Sequence, residues 1–133
     1  MKRKQGKQRH WGAATVEMAV VAPLLLTMLF GIIEYGWVFS VKQALTTAAR
    51  EGARTAALPG TTEGEVETRV AEFLNPMGMT TYNLDLTRAT PGDPTETVHI
   101  TIPYADVTLI GSFFGSTDYD LGAMCSMRKE GVD

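Results

Sequence analysis

The distribution of apolar and polar positions divides the chain into a long apolar run, an amphipathic helix and a small alternating domain. From Met18 to Ile33 no residue is charged, and apolar character resumes through Tyr35, Trp37, Val38 and Phe39. A helix from Ala13 to Phe39 is roughly 40 Å long at about 1.5 Å per residue, enough to cross a bilayer with some tilt. The pattern then becomes one-sided. Val41, Ala44, Leu45, Ala48, Ala49, Gly52, Ala53 and Ala56 recur at three- and four-residue spacing, opposite Lys42, Gln43, Thr46, Arg50 and Arg54. This predicts a helix over 41–58, continuous with the apolar run and stopped at Leu58-Pro59-Gly60.

A second helix is expected over 62–74. Thr62 stands at its N-cap, acidic Glu63, Glu65 and Glu67 sit near its positive end, and Val66, Val70, Phe73 and Leu74 form its stripe. Three strands follow, near 81–88, 96–103 and 119–129. Tyr82, Leu84 and Leu86 alternate with polar neighbours, as do Val98, Ile100 and Ile102, which turns His99 toward solvent. Pro103 places the second strand's end there or puts it at an edge. Tyr119, Leu121, Ala123 and Cys125 share one face of the third. Between them, Asp106 to Ser116 is an apolar loop or short helix; Phe113 and Phe114 either close the core beneath the long helix or contact another component. The fold class is α+β: a long N-terminal helix packed on a small antiparallel sheet of about three strands, with one further helix.

Charge adds direction. Of the 12 basic residues, Lys2, Arg3, Lys4, Lys7 and Arg9 lie in the first ten positions, leaving seven against 15 acidic residues, a net of −8. Basic residues beside a span stay on the cytoplasmic side, which predicts a cytoplasmic leader (1–12), a transmembrane helix (13–40) and an extracytoplasmic domain (41–133). The basic tail has no aromatic interleaving and no second patch, so nucleic acid is excluded as its partner. Cys125 is the sole cysteine, and its simplest role is a small buried strand residue. His10 and His99 lie far apart in sequence, and no metal site is expected.

A basic tail before an apolar run also describes a secretory signal. This run exceeds an h-region of 7–15 residues, and large side chains (Ile33, Tyr35, Trp37, Phe39) fill the place of a cleavage site. Pro23 lies inside the run. In a soluble helix it costs about 3 kcal/mol, whereas a membrane helix tolerates it, so it marks a bend. The carboxylate of Glu17 is the costly feature, about 2.5–3.5 kcal/mol even on the lenient insertion scale for a central site. It calls for a cationic partner. Cleavage after Gly12 creates an α-amino group on Ala13, one helical turn from Glu17. The plainer alternative is an interfacial Glu17 that reaches water.

The string Gly12-Ala13-Ala14-Thr15-Val16-Glu17, with the basic leader before it and the apolar run after it, resembles a type IV prepilin signal. Together with Pro23, Glu34-Tyr35-Gly36 and Ala48-Ala49-Arg50-Glu51-Gly52-Ala53-Arg54, it resembles the TadE-like minor pseudopilins of the tight-adherence (Flp) pilus system over about 12–57. The related TadF type shares the pattern; the TadG type is larger. The resemblance implies cleavage of the Gly12–Ala13 bond by a membrane aspartyl prepilin peptidase, with Glu17 as the recognition and assembly carboxylate. It further implies a role in pilus biogenesis and surface adherence at the inner membrane. The implied partners are that peptidase, the major Flp pilin, other minor pseudopilins, an assembly platform and its ATPase motor. The small-residue face Ala44, Ala48, Gly52 and Ala53 packs either on the chain's own sheet or along neighbours in a pilus.

No enzyme chemistry is expected. The sequence has no phosphate-binding Gly-rich loop with Lys-Ser/Thr, no Gly-x-Ser-x-Gly, no His-Glu-x-x-His and no paired Cys motif, and it implies no cofactor. The rival reading is an uncleaved single-pass anchor whose domain binds an envelope or surface ligand.

Overall fold

The computed structural model describes residues 8–115 and 117–131, with the side chains of residues 8–11, 112 and 114 left aside. One helix dominates it. Helix α1 runs Gln8–Ala56 without interruption, about 73 Å at the ordinary helical rise. The leader expected at 1–12 therefore divides: residues 1–7 lie outside the described residues, and 8–12 extend the helix. Pro23 has no N–H for the carbonyl of Ala19, yet the helix continues through it; one turn on, the Thr27 hydroxyl donates to the Pro23 carbonyl at 2.8 Å.

After a turn in which Gly60 adopts φ +80°, α2 (Glu63–Leu74) packs against the upper part of α1. Its start is held by Glu65, whose carboxylate accepts from the Thr62 backbone N–H at 2.7 Å and the Thr62 hydroxyl at 3.0 Å. Strands β1 (Asn83–Thr87), β2 (Thr95–Pro103) and β3 (Asp120–Arg128) form an antiparallel sheet in the order β1-β2-β3. The α+β expectation holds: a long helix, a second helix and a three-stranded sheet. Pro103 closes a central strand, where a missing ladder donor costs least at the last residue.

The alternation along β2 explains the layering. Val98, Ile100 and Ile102 are buried against α1, while Thr97, His99 and Thr101 occupy the other face. From α1, Val41, Leu45, Ala48, Ala49, Ala53 and Ala56 enter this core, and from α2, Val66, Val70 and Leu74. Cys125, expected buried, is half-buried on the edge strand β3, where it packs against the rim of the core. Phe113, expected to close the core, is 64% exposed. Val107 and Tyr104 fill the space beneath the helix instead, so the core is complete without it. Phe114's side chain lies outside the described residues.

The inward row of β2 begins with Glu96, which is fully buried and in phase with Val98, Ile100 and Ile102. Lys129 Nζ meets its Oε1 at 2.6 Å, with Arg88 farther off at 3.9 Å. Backbone bonds from Lys129 to Pro94 (2.8 Å) and from Glu130 to Ala57 (3.0 Å) tie the end of β3 to the start of β2 and the end of α1. A buried charge of this kind demands its partner, and Lys129 supplies it.

Helix α1 meets α2 most closely at Gly52. A Cβ there would stand 2.8 Å from Val70 Cγ2 and 3.3 Å from Val98 Cγ1. Gly52→Ala is therefore expected to lower stability by about 1–3 kcal/mol through overpacking. Gly64→Ala, whose Cβ meets nothing within 4 Å on α2, is expected to raise it by up to about 1 kcal/mol through helix propensity. Thermal unfolding of the two variants checks both signs.

Candidate functional site

Two carboxylates on α1 define the places where the helix does more than pack. The first, Glu17, lies on the exposed apolar stretch with Gly12 and Ala13. Ala13 and Glu17 are one turn apart on the same face, and Pro23 follows further along. A Cβ at Gly12 would meet nothing within 4 Å, and no positive φ is needed there. Packing within the chain thus gives no reason for a glycine that costs about 1 kcal/mol in a helix. Gly36 shares that property, so Gly12 gains its meaning from its spacing to Glu17.

The second carboxylate, Glu34, is where the folded domain first grips the helix. It is only 5% exposed, although Ile32, Ile33 and Tyr35 around it are open. The reason is helical phase: Glu34 stands at the head of the stripe continued by Trp37, Val38, Val41 and Leu45. Its charge is met by the segment after β2, formed by two short 3₁₀ turns, Tyr104–Asp106 and Gly111–Phe114. Glu34 Oε1 accepts from the Tyr104 hydroxyl at 2.8 Å and the Thr108 hydroxyl at 2.5 Å. Its Oε2 accepts from the backbone N–H of Leu109 at 3.0 Å and of Ile110 at 3.2 Å. Four donors thus surround one carboxylate, and charge-assisted bonds of this type are the strong ones.

The neighbours hold that arrangement. Trp37 Nε1 donates to the Val107 carbonyl at 2.8 Å, one turn above Glu34. Thr108 Oγ1 also accepts from the Gly111 backbone N–H at 2.9 Å, closing the turn that aims the two amides. Tyr104 stacks on Tyr119 with ring centroids 4.5 Å apart. Burial pushes the Tyr104 phenol up to about 12, and its bond to Glu34 works in the same direction, so it remains a donor throughout the neutral range. Beside the pair, Gly31, Glu34, Tyr35, Val38, Tyr104 and Tyr119 line an open, mainly apolar groove of about 290 Å³.

The sequence-predicted site residues thus separate into two groups. Gly12, Ala13, Glu17 and Pro23 occupy the exposed stretch of α1, while Ala48, Gly52 and Ala53 are buried in the chain's own core and Ala44 is half-buried beside it. Of the two packing roles open to that small-residue face, the structure displays the internal one. Sequence reasoning named Glu34 only as part of the family resemblance, without a structural role, and passed over Glu96. Each carried a signal: Glu34 is in phase with the buried stripe of α1, and Glu96 with the inward row of β2.

Among the described residues, one helix is long and apolar enough to cross a bilayer, as a single-pass anchor requires, and it carries a small α+β domain. Residues 12–54 match the family model described as TadE-like protein, the family associated with the Tad pilus. The matched stretch is the exposed segment of α1 together with most of its buried stripe, including Gly12, Glu17 and Glu34. No curated protein matches the chain, and neither does any solved structure.

Replacing Glu34 by Ala leaves two hydroxyls and two backbone amides without their acceptor, a loss on the order of 3 kcal/mol. Glu34→Gln keeps the shape and loses the charge, and is expected to fall between Ala and wild type. Hydrogen exchange reads the site directly: the Leu109 and Ile110 amides should exchange at least about tenfold faster in Glu34→Ala. Unchanged protection at both amides would contradict the assignment.

Proposed function

We propose that the chain is a minor pseudopilin of a Tad-type pilus, made as a prepilin and cleaved between Gly12 and Ala13 by a prepilin peptidase. The observation that carries this reading is the family match over residues 12–54, which begins at Gly12 and includes Glu17 five residues on. In this reading the leader is cytoplasmic, the exposed apolar part of α1 lies in the inner membrane, and the α+β domain is extracytoplasmic. Its partners are the peptidase, the major Flp pilin, other minor pseudopilins, the assembly platform with its ATPase motor, and the bilayer. Its role is in pilus biogenesis and surface adherence, without catalysis of its own.

The mechanism follows from the helix. Cleavage frees an α-amine on Ala13 that pairs with Glu17, in the same chain or a neighbouring one, and so offsets the cost of a carboxylate in an apolar setting. The apolar surface of α1 then passes from lipid into a bundle of similar helices, where it stays hidden from water. In this structure α1 is already helical at Gly12 and Ala13. The absence of any packing demand for Gly at position 12 fits a role in cleavage.

N-terminal mapping of protein expressed with and without the peptidase tests the proposal. A mature chain beginning at Ala13 only when the peptidase is present is the expected result, with Gly12→Leu left uncleaved. Retention of the leader in both samples would instead favour an uncleaved single-pass anchor. Glu17→Gln is expected to impair piliation; full piliation with that variant would remove Glu17 from the mechanism.

A further inference from the structure

Above residue 33 one face of the helix is covered, and below it the helix is open all round. The apolar window of α1 has no buried residue, and the lowest contacts of the domain are Gly31, half-buried, and Glu34, buried. Residues 13–33 make about 31 Å of helix, the thickness of a bilayer's hydrocarbon core. The segment that grips Glu34 therefore lies at the depth where that core ends. It is also unusually apolar on its outer side: Leu109 is 57% exposed and Phe113 is 64% exposed. Tyr35 (77%) and Tyr119 (49%) are open at the same level, bordering the groove beside Glu34. Aromatic side chains with a polar tip are the kind found at membrane–water boundaries.

The geometry points to the 108–114 segment as a second membrane contact, a foot that sets Leu109 and Phe113 into the boundary between lipid headgroups and acyl chains. The occupant of this surface is the bilayer that α1 itself crosses, so the inference rests on the reading of α1 as an anchor. Glu34 fixes the foot in place by holding the amides of Leu109 and Ile110, which presents the Leu109 side chain on the outer side of the loop. The contact is apolar and not electrostatic: the nearby charges Asp106, Asp118 and Asp120 are acidic and exposed. Two attachments, helix and foot, fix the tilt and rotation of the domain over the membrane, which a single helix leaves free.

Spin labels on the full chain in phosphatidylcholine vesicles test this, in a Cys125→Ser background, with single labels at Leu109→Cys, Phe113→Cys, Leu25→Cys and Thr87→Cys. Collision with oxygen, enriched in lipid, is compared with collision with a water-soluble nickel chelate. Leu25 is expected to favour oxygen and Thr87, on the exposed part of β1, the chelate. Labels at 109 and 113 are expected to favour oxygen at least threefold more than Thr87. A lipid-facing Leu25 with water-facing or fully shielded labels at 109 and 113 would overturn the foot alone. A Leu25 label in water would overturn the anchor on which it rests. Circular dichroism of each labelled chain confirms that the fold is retained.

Discussion

A single helix carries an exposed apolar part and a part packed on a small domain, and the carboxylate of Glu34 is the interaction on which their junction depends. Below it, α1 exposes Leu, Val, Met and Ile side chains all round; above it, the same helix buries a stripe against a sheet. A charge at the seam would be expensive in either medium. It is tolerated because Tyr104, Thr108 and two backbone amides converge on it. The loop is shaped around the carboxylate by these four bonds, and Phe113, farther along it, is exposed while Val107 and Tyr104 fill the space beneath the helix.

The domain has a matching device at its far end. Glu96 opens the inward row of β2 and is neutralised by Lys129, where the last residues of β3 meet the end of α1. The two buried carboxylates therefore bracket the packed length of the helix. Between them the core is made mainly of Ala, Val, Leu and Ile, with Gly52 where a Cβ would meet Val70 and Val98. Small residues let α1 approach both α2 and the sheet, so the helix is held along one face while Lys42, Gln43, Arg50 and Arg54 stay outside.

Much of this was legible in the sequence because it is periodic. The apolar run, the stripe from Val41 to Ala56, the capped helix after Pro59 and the alternation of β2 each follow from spacing alone. The matches to Glu34 and Glu96 were present in the same periodicities, but a charged residue in a buried phase reads as an exception until its partners are known. Those partners lie about 70 residues away from Glu34 and about 30 from Glu96, a separation no local pattern records. The segment after Pro103 was the least legible part. Its shape is dictated by donors aimed at a carboxylate and not by an apolar repeat, so the pattern alone leaves Phe113 open between the core, which Val107 and Tyr104 already fill, and an outer contact. Gly12 and Glu17 stand at the opposite extreme: the sequence points to them through the cost of a carboxylate in an apolar run and through resemblance, and the described fold gives them no internal packing task.

If α1 is the anchor proposed above, its membrane span ends at Glu34 and not several residues later. Single cysteines at Leu29, Tyr35 and Phe39, in a Cys125→Ser background, can be reacted with a membrane-impermeant maleimide on intact spheroplasts. The account predicts silence at Leu29 and labelling at Phe39 from the outside, with Tyr35 at the boundary. A silent Phe39, or labelling that appears only after the membrane is opened, would contradict it.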